Sequence, residues 1–197
     1  MRIAFFGDSF VNGFGDPLYQ GWVGRICASA RTRGEDVTAY NCGIRRATSK
    51  DVRAIWHAEA GVRLPPEFKC GVVFSFGAND QRIEQGAPRV STEQQIDNTR
   101  AILSAAQRQW PVLFIASPRS RDETDETFAR TRAIKELCDS LGVPFLDTCA
   151  ASADFKQWHG EAKAGDGVHP GAAGYAEFAA VVEAWPAWHK LLDKLKG

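Results

Sequence analysis

The sequence predicts an α/β protein in which helices cover both faces of a parallel sheet. Short, bulky apolar runs alternate along the chain with longer segments of helical periodicity. The apolar runs contain few polar residues, as expected of strands that are buried on both faces. Turns rich in glycine or proline separate the segments, and no repeat, linker or low-complexity stretch interrupts them. We therefore expect a single domain over residues 1–197.

Five apolar runs are predicted to be strands, and the third is nearly all apolar. Pro144 lies in the last run, and because proline cannot donate a ladder hydrogen bond, this strand is expected at a sheet edge. In chain order the runs are Ile3–Phe6, Val37–Tyr40, Gly71–Phe76, Val112–Ala116 and Val143–Leu146.

Five segments carry apolar residues at helical spacing. Ser49 is predicted to cap the second helix, and glycines follow the first and fourth, where helices commonly stop. An amphipathic tail follows Pro186. Segments 81–90 and 117–122 are expected to be loops, and 147–165, which shows no strong periodicity, is expected to be a loop with a short helical turn that covers the cleft. The helices are Gly21–Arg33, Ser49–Ala60, Thr92–Gln109, Glu126–Leu141 and Gly171–Ala184.

Composition excludes several classes of protein. Hydrophobic residues make up 44% of the 197, which argues against a disordered chain, and 24 basic residues balance 24 acidic ones, which argues against a general nucleic-acid binder. Five cysteines without a CxxC spacing suggest neither a disulfide framework nor a zinc site. Reduced thiols, the absence of a membrane-length apolar stretch and the lack of room for a signal peptide lead us to expect a cytoplasmic protein.

Polar residues follow the predicted strands at the points where ligands bind in open α/β sheets. Ser9 follows the first strand, Gly43 the second and Asn79 the third, while Asp166 and His169 precede the last helix. A serine hydroxyl needs a base to become a nucleophile, and the base needs a group that orients it. The spacing of three between Asp166 and His169 allows the carboxylate to bond one ring nitrogen while the other faces Ser9.

Acyl transfer also requires hydrogen-bond donors for the developing oxyanion. Three candidates are available: the N–H groups of Ser9 and Gly43 and the side-chain amide of Asn79. Among alternative acid–base pairs, His159 competes with His169, and Asp147 or Asp154 competes with Asp166. We favour the second pair because its members are spaced to interact and a helix starts just after them.

The segments Gly7–Phe10, Gly43, Gly77–Asp80 and Asp166–Pro170 together resemble the four sequence blocks of the SGNH (GDSL-type) hydrolases. Each block is weak alone, but their order and their places at element boundaries span residues 7–170. The resemblance implies a flavodoxin-like, three-layer α/β/α sandwich with a five-stranded parallel sheet. It also implies hydrolysis of an ester or thioester through an acyl-enzyme, with no metal and no organic cofactor.

The same resemblance implies that Ser9 is the nucleophile, His169 the base and Asp166 its supporting acid. Ser9, Gly43 and Asn79 would form the oxyanion hole, and Asp8 would hold the first loop. The first block reads GDSF rather than GDSL. Arg45 and Arg46 stand where many members carry a small residue, and they either narrow the site, bind an anionic group or point to solvent.

A serine esterase acting on a small-molecule ester, with a preference for short acyl chains, is the favoured function. A thioesterase, lysophospholipase or acyltransferase would use the same triad. A non-catalytic flavodoxin-like domain could instead bind a phosphate-bearing ligand through Ser9 and the loop that contains Gly13 and Gly15. That alternative is disfavoured, since Leu18 occupies the position of the third glycine of a dinucleotide fingerprint. The tail after Pro186 packs on the core or on a second copy, so a homo-oligomer stays open.

Overall fold

The computed structural model describes residues 1–118 and 124–196. Its strands are β1 (Arg2–Gly7), β2 (Thr38–Gly43), β3 (Cys70–Ser75), β4 (Ile83–Glu84), β5 (Ala87–Pro88), β6 (Val112–Ile115) and β7 (Phe145–Leu146). Its helices are α1 (Ser9–Asn12), α2 (Gly21–Thr32), α3 (Ser49–Arg63), α4 (Thr92–Ala106), α5 (Asp125–Leu141), α6 (Thr148–Ala151), α7 (Lys156–Ala164), α8 (Ala172–Ala184) and α9 (Pro186–Lys196). A 3₁₀ turn, Ser152–Asp154, follows α6.

A five-stranded parallel sheet forms the centre of the fold, in the order β2-β1-β3-β6-β7. This confirms the predicted five strands and places β7 at an edge, as Pro144 indicated. In the register, Gly7 at the end of β1 lies between Gly43 of β2 and Ser75 of β3. A Cβ on Gly7 would lie 1.8 Å from the Ser75 carbonyl oxygen, so this approach requires glycine. The next two strands of the sequence, β2 and β3, pair with β1 on its opposite sides. This arrangement creates a crevice at the carboxyl ends of the strands.

Alternate residues of the strands support two separate hydrophobic cores. Ile3 and Phe5 of β1 face the core beneath α2, α8 and α9, where Phe5 meets the fully buried Trp22 edge to face at 5.8 Å. Phe6 faces the opposite core beneath α3, α4 and α5, where it stacks on Phe74 of β3 at 5.6 Å. The period of two along each strand thus produces the helix–sheet–helix layers that the sequence predicts.

Several local features differ from the sequence-based expectations. The cap of α3 is Thr48 rather than Ser49, because Thr48 and Asp51 form a reciprocal capping box. Residues 81–90 contain the antiparallel pair β4 and β5, and residues 147–165 contain α6, the 3₁₀ turn and α7. The predicted loop 117–122 falls largely in residues 119–123, outside the described residues. Within the described ranges, none of the helices has both the length and the apolar character that crossing a membrane requires.

Candidate active site

The end of β1 positions Ser9 at the edge of the sheet. The chain turns after Gly7 directly into α1, and the Asp8 carboxylate accepts a hydrogen bond from the Phe10 N–H at 3.0 Å. Asp8 therefore has the loop-holding contact expected of it. Ser9 is 7% exposed, so most of the residue is buried while its hydroxyl lines a cavity.

Two buried carboxylates, those of Asp8 and Asp80, lie near this turn. Burial raises the pKa of Asp8 to about 7, with the Asp80 charge adding to the effect and the Phe10 N–H opposing it. Burial also raises the pKa of Asp80 to about 6, against a hydrogen bond from the Ser49 N–H at 2.7 Å. Each carboxylate keeps one buried oxygen that no described residue hydrogen-bonds. Burial therefore brings both carboxyl groups closer to protonation at neutral pH than an exposed aspartate would be.

Ser9, His169 and Asp166 form a continuous hydrogen-bonded chain. The Ser9 hydroxyl oxygen lies 2.8 Å from His169 Nε2, and His169 Nδ1 lies 2.7 Å from an Asp166 carboxylate oxygen. Ser9 and His169 are 160 residues apart, so the fold alone brings them together. The structure thus unites the three residues that the sequence analysis paired.

A tight turn holds Asp166 and His169 in this arrangement. The second Asp166 oxygen accepts the Val168 N–H at 2.9 Å and the His169 N–H at 2.8 Å. Burial disfavours the charged carboxylate, but the hydrogen bonds from His169 and Val168 outweigh it and lower the pKa of Asp166 to about 2. Gly167 has a φ of 86°, which allows the chain to close the turn. The carboxylate is therefore ionised beside the imidazole.

Aromatic rings enclose the His169 imidazole. Phe10 lies 5.4 Å from it, and Phe14 meets it edge to face at 4.8 Å. Gly15 has a φ of 95°, and a Cβ there would lie 2.5 Å from the Pro170 carbonyl oxygen. Tyr175 donates a hydrogen bond to the Phe14 carbonyl at 2.8 Å and so fixes the same loop from α8. These contacts restrict the orientation of the imidazole ring.

Glu161 of α7 is a supporting residue that the sequence analysis missed. Its carboxylate accepts hydrogen bonds from the N–H groups of Gly171, Ala173 and Gly174, at 2.7–3.2 Å. It thereby anchors the start of α8, three residues after His169. Glu161 lies in a segment without clear periodicity. A single glutamate in such a segment does not indicate that its carboxylate caps a helix in another part of the chain.

Asn79 lies in the cavity beside Ser9, at 7% exposure. One hydrogen of its side-chain amide is donated to the Ala47 carbonyl at 3.1 Å, which fixes the orientation of the amide. An amide nitrogen carries two hydrogens, so one stays available to a ligand. This placement agrees with the position expected of a donor to the oxyanion.

The structure corrects the prediction for Gly43. Its N–H donates to the Asn41 side-chain oxygen at 3.0 Å, and Gly43 does not line the cavity that contains Ser9. A Cβ on Gly43 would lie 2.2 Å from the Asn12 nitrogen, so its glycine is required for β2 to pack against α1. The physical reason for the error is that Gly43 ends a strand, and the chain has not yet turned toward the site.

Arg46, three residues later, lines the cavity instead. Its φ of 67° lies in the left-handed region that bulky residues rarely adopt. The strained position is held by Arg89, whose guanidinium donates to the Arg46 carbonyl at 2.7 Å. A left-handed backbone is usually indicated in a sequence by a glycine, so the arginine at this position gives no indication of it.

The cavity has a volume of about 410 Å³, and Ser9, Asn79 and His169 line it. Three arginines, Arg45, Arg46 and Arg82, also line it and form its basic wall. A smaller pocket of about 40 Å³ shares Ala78, Gln81 and Thr127 with it and is lined further in by aromatic and aliphatic side chains: Phe76, Phe114, Ile134 and Phe145.

The competing residues have other partners. A ring nitrogen of His159 lies 2.8 Å from the Ser152 carbonyl oxygen, and the Asp147 carboxylate caps α6 through the Ala150 N–H. Asp154 is exposed in the 3₁₀ turn. Within residues 1–118 and 124–196, no group of three or more His, Cys, Asp or Glu side chains is placed to hold a metal ion.

Comparison with known families gives the same answer as the geometry. The model of the GDSL-like lipase/acylhydrolase family matches residues 5–177. The chain belongs to this family. It is accordingly a serine ester hydrolase and an enzyme, and the non-catalytic alternative is set aside. No match was found among curated proteins.

Solved structures share the fold of this hydrolase at low sequence identity. TesA is 19% identical with a TM-score of 0.78, covering 97% of this chain and 99% of its own. A lipase/acylhydrolase from Enterococcus faecalis is 20% identical with a TM-score of 0.71, covering 98% and 96%. A catalytic mutant of Axe2, an acetylxylan esterase from Geobacillus stearothermophilus, is 19% identical with a TM-score of 0.73, covering 91% of both chains. At such identities the likeness establishes the fold.

Proposed function

We propose that this hydrolase cleaves carboxylic esters of short acyl chains, with Ser9 as nucleophile, His169 as base and Asp166 as supporting acid. The observation that carries the proposal is the unbroken contact from Ser9 Oγ to His169 Nε2 and from His169 Nδ1 to Asp166, at 2.8 Å and 2.7 Å. Both distances suit direct proton transfer and charge-assisted hydrogen bonding.

In the first step, the Ser9 oxygen attacks the ester carbonyl carbon while His169 Nε2 accepts the hydroxyl proton. The ionised Asp166 orients the ring and stabilises the imidazolium that forms. Collapse of the tetrahedral intermediate breaks the bond to the leaving alcohol. His169 returns its proton to that alcohol, which leaves an acyl group on Ser9.

In the second step, a water molecule takes the place of the alcohol. His169 accepts a proton from this water as its oxygen attacks the acyl carbon. The new tetrahedral intermediate collapses, the bond to Ser9 breaks, and His169 protonates the departing serine oxygen. The products are the carboxylic acid and the restored triad, so the proton count of the enzyme is unchanged over the cycle.

For the negative charge on the carbonyl oxygen, we propose two donors: the Ser9 N–H and the second amide hydrogen of Asn79. Ser9 is the first residue of α1, where an N–H has no acceptor within the helix. The Arg46 N–H is proposed as a third donor in place of Gly43, since Arg46 lines the cavity in a strained backbone conformation. Strained residues of this kind concentrate at functional sites.

The short acyl preference is supported by the small pocket next to the Ser9 cavity. Its volume of about 40 Å³ and its lining of Phe76, Phe114 and Phe145 suit a short apolar chain rather than a fatty acyl chain.

We further propose that the enzyme acts as a single domain in a reducing, cytoplasmic setting. Its five cysteines are free, and all but the half-buried Cys42 are buried.

The test is hydrolysis of p-nitrophenyl esters from acetate to palmitate by the wild type and by Ser9→Ala, His169→Ala and His159→Ala. We expect a maximum at short chains, and at least about a thousandfold loss in the first two variants. His159→Ala is the matched control and should retain activity, because its ring faces a backbone carbonyl away from the cavity. Equal losses in both histidine variants would contradict the assignment of the base.

A further inference from the structure

We propose that this hydrolase selects esters carrying a second, negatively charged group, a carboxylate or a phosphate, and that Arg45 and Arg82 bind that group. The inference rests on the proposed function, because it assigns a substrate class to the same cavity. It starts from the three arginines that line the cavity with Ser9 and His169.

Arg45 is held in place beside the catalytic base. Its guanidinium carbon lies 3.5 Å from the centre of the Phe14 ring, and Phe14 in turn contacts the His169 ring at 4.8 Å. Stacking on an aromatic face orients the planar guanidinium and leaves its N–H donors at the edge free for an anion. Arg45 forms no ion pair with any residue in the described part of the chain.

Arg46 already has an ion-pair partner and organises the wall rather than binding the anion. Its guanidinium lies 2.7 Å from a Glu84 carboxylate oxygen in β4. Arg89 lies 3.6 Å from the same oxygen and donates to the Arg46 carbonyl at 2.7 Å. This network ties the β4–β5 hairpin to the loop that carries Arg45, so the hairpin residues keep a fixed place at the cavity.

Arg82 precedes that hairpin and completes the wall. Its N–H donates to the Asn79 carbonyl at 3.4 Å, and its own carbonyl accepts the Arg89 N–H at 3.0 Å, so its backbone is anchored to both neighbours. The side chain is exposed and has no ion pair among residues 1–118 and 124–196.

The acidic residue of the described lining does not cancel these charges. Glu126 lines the same cavity, but its carboxylate is paired with the Arg130 guanidinium at 2.8 Å. Among the described residues, Arg45 and Arg82 therefore present positive charges to the cavity that no carboxylate pairs with. Guanidinium groups bind carboxylate and phosphate through paired N–H donors, which the two residues offer from adjacent loops.

The experiment measures kcat/KM for two matched substrate pairs. The first is mono-p-nitrophenyl glutarate against its methyl ester, which places the charge on the acyl side. The second is acetylated glycerol 3-phosphate against acetylated glycerol, which places it on the alcohol side. We expect wild type to prefer the charged member of one pair by at least about tenfold, mainly through a lower KM, and the pair that responds identifies the side.

The variants are Arg45→Gln, Arg82→Gln and their combination, with Arg108→Gln as a matched control. Arg108 is exposed in the turn before β6, at the opposite edge of the sheet, and should leave the preference unchanged. The double variant should reduce the preference to about one. Because any disturbance of His169 through Phe14 affects both members of a pair, the ratio isolates the effect of charge.

Two results would overturn the inference: a wild type without preference in either pair, or a preference that survives in the double variant. The preference should also decline with added salt, since screening weakens the attraction between exposed charges. Failure of the proposed function would look different, as the neutral esters would then also resist hydrolysis or be cleaved equally by Ser9→Ala.

Discussion

Replacing Asn79 with alanine has two effects that can be measured separately, one on the stabilisation of the transition state and one on the stability of the fold. The side-chain amide donates one hydrogen to the Ala47 carbonyl at 3.1 Å, and in the proposed mechanism it donates the other to the oxyanion. Loss of a donor to an oxyanion raises the barrier by about 3–4 kcal/mol, which lowers kcat roughly 100- to 1,000-fold. KM should change little, because the hydrogen bond strengthens only as charge develops on the oxygen.

The same substitution also leaves the Ala47 carbonyl without its donor. An unsatisfied buried acceptor costs about 1–3 kcal/mol of unfolding free energy. For a chain of this size each kcal/mol lowers the Tm by about 2–4 °C, so Asn79→Ala should unfold a few degrees early. At assay temperature the variant should still be folded, and the loss of kcat is then not a loss of folded protein.

Asn98→Ala is the matched control for this experiment. Asn98 has the same 7% exposure and donates to the Ser49 hydroxyl at 3.0 Å, but it does not line the cavity. Its side-chain oxygen also accepts a hydrogen bond from the Arg53 guanidinium at 3.1 Å, so Asn98→Ala should lose at least as much stability as Asn79→Ala and yet retain kcat. The assay is steady-state hydrolysis of p-nitrophenyl acetate, normalised by titration of active sites, with Tm measured in parallel. A kcat for Asn79→Ala equal to that of Asn98→Ala would refute the placement of Asn79 in the oxyanion hole.

Three further predictions concern the supporting residues. Asp166→Asn should lower kcat/KM on esters roughly 100-fold. This loss is smaller than that expected for a fully buried acid, because water screens the half-exposed carboxylate. An unchanged kcat/KM would exclude Asp166 as the supporting acid. Because the folded-state pKa of Asp8, about 7, lies above the ordinary 3.8, the native protein keeps a proton that the unfolded chain loses, and stability falls as pH rises between these values. Asp8→Asn removes that decline. Urea titrations should therefore show the unfolding free energy of the variant, relative to that of wild type, rising by up to about 4 kcal/mol between pH 4 and pH values above 7. A difference that stays constant from pH 4 to 8 would contradict the raised pKa. Arg46→Gly should be about 1–2 kcal/mol more stable than Arg46→Ala in thermal unfolding, since only alanine keeps the left-handed strain; equal stabilities would argue against the positive φ.

The sheet was predictable because its signal is local and strong. The buried strand β3, for example, is a nearly continuous apolar run, and a parallel sheet buries both faces of its central strands. Ser9, Asn79 and the Asp166–His169 pair were predictable for a related reason. They occupy strand ends or a helix start, and the carboxyl ends of parallel strands meet at one edge of the sheet.

The residues that escaped prediction act through contacts between distant segments. Glu161 holds the first turn of α8 from another helix, and Thr48 takes the cap of α3 because Asp51 completes its capping box. Gly43 was misassigned because a glycine that permits close packing looks the same in a sequence as one that permits a turn. Arg46 was missed for the opposite reason, since a strained backbone is invisible when the residue is not glycine.

Covalent labelling tests the central claim most directly. Wild type and Ser9→Ala are incubated with diethyl p-nitrophenyl phosphate, which transfers a phosphoryl group to an activated serine and releases p-nitrophenol, and the modified residue is located by peptide mass spectrometry. The 2.8 Å contact with His169 predicts a single adduct, on Ser9, that forms far more slowly in His169→Ala and is absent in Ser9→Ala. An adduct on another residue, or undiminished ester hydrolysis by Ser9→Ala, would contradict the assignment of the nucleophile.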